Sequence, residues 1–396
     1  MRRRTAGAPI AVATIGISVV ATPYALAATS DESTRLVQSR REVAPALPGR
    51  DQVLSGVDAA ASDDAWAVGS HARNTAPRCL VLHYDGDAWT KVPSPNPGTS
   101  ENGLSGVSVL TADDVWAVGG SSDTGDHHTS TLALHWDGAE WSRVPAQSPA
   151  AAANSFGDVA ALSPSDVWAV GSVTQTFEGT FDGLIEHWDG TTWDVVPFPD
   201  LPGPGSLDGV SGSGPDDVWA VGHAGVRGRN VPVIDHFNGH KWVVVPPAPL
   251  RADSLLRDVT ALSPSDAWAV GLRTDRTGVH TLVEHWNGSD WAIVDSADPS
   301  GRDSLRGIDA RTESDIWAVG DSHVGAVSEP LTEHWDGKTW TSVPVRPPSS
   351  ESRLGGVAAV SPTTAFAVGT VIVNPSQDRS LLERWDGVRW SRLRSD

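Results

Sequence analysis

The chain holds one cysteine, Cys79, and one methionine, Met1, among its 396 residues. A lone thiol forms no intrachain disulfide, so the covalent stapling common in small secreted domains is excluded and a packed core must supply stability. Beside a loop, Cys79 reads as a small apolar residue rather than a reactive one. Lysine occurs only at 91, 241 and 338, and arginine carries the remaining positive charge, a bias that points to a high-GC bacterial genome. Cations are outnumbered: the formal net charge is −20. Removing residues 1–27, which contain Arg2, Arg3 and Arg4 and no acid, takes it to −23. A surface of that sign repels nucleic acid and anionic lipid, which excludes both as partners. After the N-terminus no apolar run is long enough to cross a bilayer, so no stable membrane anchor is expected.

The start reads as an export signal. Met1-Arg2-Arg3-Arg4 forms a basic region, Ala11 to Ala21 an apolar one, and Ala25-Leu26-Ala27 fits a small-x-small cleavage site. Residues 1–27 are therefore expected to be a signal peptide and the mature protein to be secreted. Residues 28–53 are polar, contain Pro45 and Pro48, and read as a leader. Within it, Arg41-Glu42-Val43-Ala44-Pro45 stands where an outer strand of the last structural unit would fall, and is expected to add to that unit.

From residue 54 onward the chain repeats. Asp166-Val167-Trp168-Ala169-Val170-Gly171 has near-copies whose aromatic residue falls at Trp66, Trp116, Trp219, Trp268, Trp317 and Phe366, at intervals of 49 to 52 residues. A constant period of this size marks a repeat architecture. Each repeat offers four short strands. In the third these are Gly157–Ala161, Val167–Gly171, Leu184–Trp188 and Trp193–Pro197, with turns at Ser163-Pro164-Ser165-Asp166 and Asp189-Gly190. The second strand is apolar on both sides and must be covered on both faces. The pattern predicts an all-β fold: one seven-bladed β-propeller of four-stranded antiparallel blades over 54–396, with blades starting near 54, 104, 156, 207, 256, 305 and 354. A linear β-solenoid is the alternative, but its coils are shorter than this period.

The 18 Trp residues occupy three columns, in the second, third and fourth strands, and are expected to pack between blades with each N–H on a local partner. None is left in a loop as a stacking platform. His83, His135, His187, His236, His285 and His334 recur before the third-strand aromatic, with Arg384 in the last repeat. Spread around a ring, they cannot converge on one metal, and a hydrogen bond from strand to turn is their expected role.

Function is expected on the face that bears the divergent loops between second and third strands. Candidate ligand-binding residues there are Asp123, Asp126, His127 and His128 in the second repeat, and Phe177 and Phe181 in the third. Later repeats add His223, Arg227 and Arg229, then Arg273, then Asp321 and His323. The Asp123–His128 group has carboxylate and imidazole of the kind that bind zinc, but adjacent His side chains seldom both turn inward, so no metal and no cofactor is assigned. No catalytic set is assigned either. A nucleophile elbow, a phosphate loop and a His-Glu-x-x-His motif are all absent. With Tyr84 alone in the mature chain, a sialidase-type Tyr nucleophile and a copper–tyrosyl radical site are excluded.

Across residues 54–393 the chain resembles several propeller families. Its Val-Trp-Ala-Val-Gly strand and Trp-x-x-Val spacing are similar to the tectonin repeat of lectins. Its Asp-Gly-x-x-Trp turn resembles the Asp-box hairpin, one residue shorter, and the whole is generically kelch-like. The tectonin resemblance implies glycan binding. The resulting expectation is a secreted, monomeric, non-catalytic propeller binding a glycan or an extracellular protein. A polysaccharide lyase or hydrolase on the same face is the alternative, and a structural or adhesion module the third.

Overall fold

The computed structural model describes residues 50–393 apart from 73–75, 126–127, 177–178, 326, 349 and 374–377. Its regular elements are twenty-eight β-strands, with no helix among the described residues. The third repeat shows the plan: Ala153–Ser163, Asp166–Thr174, Asp182–Trp188 and Trp193–Val195 pair antiparallel in that order. All seven repeats make such a four-stranded set, the arrangement of a repeat-based β-propeller. A single parallel pair, Thr129 with Ala153, links the second set to the third.

The repeated motif builds the core through the two-residue period of a strand. In the first repeat Ala65 and Ala67 point to one face and Trp66 and Val68 to the other. The alanines pack with Phe366, Val368 and Leu382 of the seventh repeat, while Trp66 and Val68 pack with Leu104, Val107 and Trp141 of the second. Small residues on one face and large ones on the other let each sheet wedge against its neighbours. The first sheet is thereby packed on the last as well as on the second.

Aromatic rings run through every junction. Each second-strand ring meets the fourth-strand Trp of the next repeat edge to face. Trp66 with Trp141 (5.3 Å, 81°) and Trp168 with Trp242 (5.3 Å, 79°) are typical, and Phe366 meets Trp89 at 5.8 Å and 85°. The expectation that every indole N–H has a local acceptor fails here. Third-strand indoles do donate to turn carbonyls, as Trp188 Nε1 does to Pro164 O at 3.1 Å. The seven fourth-strand indoles, among them Trp89, Trp193 and Trp390, are buried with no acceptor for Nε1. The second-strand indoles of Trp66, Trp116 and Trp219 likewise have no acceptor for Nε1. The repeated His donates to the Asp that opens the second strand, His187 Nε2 to Asp166 Oδ1 at 2.8 Å, which ties third strand to turn.

Two details differ from the sequence reading. The first strands begin two to four residues before the repeated Leu or Phe, at Arg50, Glu101, Ala153, Gly205, Asp253, Asp303 and Glu351, so residues 50–53 are strand rather than leader. Apolar patterning marks where packing begins, whereas backbone pairing extends beyond it; Gln52 there is buried and accepts from Ser380 Oγ of the seventh repeat. The Asp-Gly turn spans four residues and only its Gly takes a positive φ, 95° at Gly190. Asp189 instead caps the turn, its Oδ1 accepting from the backbone N–H of Thr191 and Thr192. The outer strand expected at 41–45 lies outside the described residues.

Candidate functional site

Every first strand carries a β-bulge directly after its Leu or Phe: cross-strand pairing skips one residue, as at Ser55, Arg257 and Gly355. A bulge leaves its extra residue unpaired and re-aims the side chain. It also explains the Gly that ends the repeated motif. A Cβ on Gly171 would lie inside the van der Waals shell of Ser155 O, because the bulged strand presses against it.

First strands of neighbouring repeats lie side by side, the first beside the seventh, and they surround an axis. The bulge positions of neighbouring repeats adjoin, a Cβ at Gly157 falling against the Asp208 backbone and one at Gly355 against Ser55 O. They are Ser55, Ser105 and Gly157 in the first three repeats and Gly355 in the last. In repeats four to six they are Asp208, Arg257 and Arg306. Charged side chains thus come together on one side of the axis, near the loop-bearing ends of the strands.

Hydrogen bonds order this group. Asp208 accepts from Ser206 Oγ at 2.7 Å and pairs with His223 Nδ1 at 2.9 Å. Arg306 Nε donates to Asp321 Oδ1 at 2.7 Å, which also accepts from Ser304 Oγ at 2.9 Å. His323 Nδ1 lies 3.7 Å from Asp321 Oδ2. Arg257 sits among them, and its buried Nε has no acceptor. Burial first, then repulsion from Arg306, hold its guanidinium below the usual value, against the pull of Asp208 and Asp321.

Farther along the axis, carboxylates tie neighbouring repeats together. Asp58 Oδ2 accepts from Val109 N (2.7 Å), Asp158 from Val210 N (3.0 Å), Asp258 from Ile308 N (2.9 Å) and Asp309 from Ala359 N (2.7 Å). Ser108 and Ser211 do the same at two further junctions. Burial raises all four acids, Asp58 to about 7 and Asp158 and Asp309 to about 6, with mutual repulsion adding for Asp58 and Asp258. The seventh-to-first junction has Gly356 and Ala358 at these positions and, among the described residues, no such tie.

The residues singled out from sequence fall in several places. His223, Asp321 and His323 join the axial group. Asp123 and His128 line a polar cleft of about 120 Å³ with Arg143 and Ser130. Thr99 donates to Asp123 through its backbone N–H (2.9 Å) and hydroxyl (3.0 Å), which pulls that carboxyl below its usual range. Asp126, His127 and Phe177 lie outside the described residues, and among those described no three metal-binding side chains cluster. Phe181 is 59 % exposed. Arg227 occupies a tight turn at φ 52°, Arg229 donates to Arg251 O at 2.6 Å, and Arg273 approaches Asp275 at 3.5 Å. These stand apart from the axial group. Sequence reasoning missed Asp208, Arg257, Arg306 and, beside them, Arg353. The available signal was the replacement of Ser or Gly by a charged residue at one strand position in three consecutive repeats.

No family model and no curated protein matches the chain. Solved structures do. YCF48 bound to D1 peptide aligns over 89 % of this chain and 96 % of its own at 15 % identity, with a TM-score of 0.54. A polysaccharide lyase, an ulvan lyase, aligns over 87 % and 97 % at 10 % identity and 0.53. The xyloglucanase of Xanthomonas campestris aligns over 86 % of this chain and 55 % of its own at 12 % identity and 0.56. At these identities the likeness establishes the propeller fold and nothing about the ligand.

Proposed function

We propose that the mature protein is a secreted, closed seven-bladed propeller that binds a glycan or an extracellular protein at its loop face without transforming it. The supporting observation is the axial group: unlike side chains from four consecutive repeats meet at one mouth, in a chain whose repeated aromatics are consumed by packing. Ser and Gly suffice at the same position in the other repeats, so the bulge itself does not call for a charged residue. The solved relatives include a peptide-bound protein and polysaccharide enzymes, which fits a propeller face that meets extended polymers. The binder is read as a monomer, with neither nucleic acid nor membrane as partner.

One observation favours the enzyme alternative. Asp208 orients His223 through Nδ1, and Nε2 makes no hydrogen bond among the described residues, the arrangement of a general base. A single experiment separates the readings. The mature protein is screened on glycan arrays and against extracellular proteins, and each bound polymer is then incubated with it and examined for new chain ends. Saturable binding with an unchanged polymer supports the proposal. Cleavage that disappears in His223→Ala establishes the enzyme, and absence of saturable binding to either class refutes both.

A further inference from the structure

We infer that the axial mouth takes the carboxylate of a sugar acid, held by the Arg257 guanidinium, so that the loop-face ligand carries an isolated acidic sugar. This rests on the binding reading above and narrows it.

Arg257 feels Arg306, Arg353, Asp208 and Asp321, and Arg353 in turn feels Asp378, in a chain of net charge −20. Both acids are engaged, Asp208 by His223 and Ser206, Asp321 by Arg306 and Ser304. Arg257 makes no hydrogen bond among the described residues, although its Nε is closed off from solvent. A guanidinium left this way lacks the acceptor that buried donors ordinarily have. Its planar fork matches a carboxylate, which would accept two parallel bonds from it.

The surroundings narrow the class of ligand. Grouped with Arg257 are the carboxylates of Asp208 and Asp321, the hydroxyls of Ser206 and Ser304 that bond to them, and the imidazole of His223. That set complements a ring of hydroxyl groups bearing one carboxylate. None of those five side chains is apolar, so the set gives a peptide's apolar side chains nothing to pack on. Highly charged polyanions are disfavoured by the acidic chain as a whole and by Asp58, Asp158, Asp258 and Asp309 deeper on the axis.

The test uses the mature protein at constant ionic strength, with binding followed by NMR of the probe's own signals. Probes are D-glucuronate, D-glucose, acetate and a short acidic peptide. Glucuronate is expected to give a saturable shift, with glucose and acetate weaker by about tenfold or more. Arg257→Gln is expected to weaken glucuronate by a similar factor. Arg257→Lys, which keeps the charge and loses the fork, should fall between. Near-ultraviolet circular dichroism checks that each variant is folded. Should Arg257→Gln fail to fold, Arg257→Lys and the exposed Arg353→Gln carry the test, each with an expected loss of affinity. No saturable glucuronate response, an equal response to acetate, or tighter binding of the acidic peptide overturns the inference. If an array glycan or protein binds parent and Arg257→Gln equally well, the binding reading stands and the sugar-acid inference falls.

Discussion

Asp235 gives the most direct test of how this fold manages charge. It stands immediately before the repeated third-strand His, where the first two repeats have Leu82 and Leu134 and the others Glu186, Glu284, Glu333 and Glu383. The longer acids find partners. Glu186, Glu284 and Glu333 accept from the backbone N–H of Gln147 (3.0 Å), Ala248 (2.8 Å) and Ala297 (3.1 Å), and Glu383 pairs with Arg392 at 2.8 Å. Asp235 is one methylene shorter, 1 % exposed, and both its carboxylate oxygens lack a partner. Burial alone raises it from 3.8 to about 7. Because the folded value is the higher one, the native state holds a proton that the unfolded chain has released. The resulting stability is fully present below about pH 4 and is lost as pH rises through about 7. A shift of that size corresponds to roughly 4 kcal/mol between pH 4 and pH 8. Glu186, Glu284 and Glu333, each raised to about 7 by burial, act in the same direction. The perturbation is Asp235→Leu, the residue that the first two repeats use at this position. Urea unfolding followed by Trp fluorescence at several pH values measures it. The parent should lose stability from pH 5 to pH 8, and the advantage of Asp235→Leu should grow by roughly 4 kcal/mol between pH 4 and pH 8. A parent that becomes more stable toward pH 8, or a variant whose advantage is independent of pH, refutes the reasoning.

Other consequences follow from single contacts. Gly171→Ala drives a methyl group into Ser155 O at the bulge and should cost about 3 kcal/mol or more, read from the urea midpoint. His187→Ala removes the 2.8 Å bond to Asp166 and the ring contact with Trp168 at 4.2 Å, and about 1–2 kcal/mol of stability should go with them in the same assay. The seventh repeat lacks the His–Asp pair, having Arg384, whose buried Nε is unpartnered, and Thr364. Installing the pair as Thr364→Asp with Arg384→His should stabilise by about 1 kcal/mol, and a melting temperature at or below the parent's would count against the pair's structural role.

The sevenfold repeat was legible because the same requirement recurs at each junction. A strand packed between two sheets needs Ala on one face and Trp on the other, so Trp66, Trp168 and Trp317 announce it without any structure. The repeated His was legible for a similar reason: one strand-to-turn bond, copied six times, leaves a column. The bulge was not. Nothing in Leu256-Arg257-Asp258 says that pairing skips a residue, and with strict alternation Arg257 and Asp258 would point to opposite faces. The unpaired indoles were missed for a different reason, since whether a ring edge meets an acceptor or another ring depends on the offset between sheets.

These two kinds of position carry different information. Where all repeats agree, a residue answers to geometry common to every blade, and its chemistry is accounted for before any ligand is considered. Asp208, Arg257 and Arg306 depart from the pattern at a place where the backbone is already bent toward the axis, and the other four repeats show that Ser or Gly satisfies the bend. Folding therefore does not require those charges. Arg257 in particular makes no hydrogen bond among the described residues, faces a second guanidinium, and lacks an acceptor for its buried nitrogen. A substitution there that preserved or raised stability while abolishing binding would assign the residue to recognition, because structural residues of the repeat lose both together.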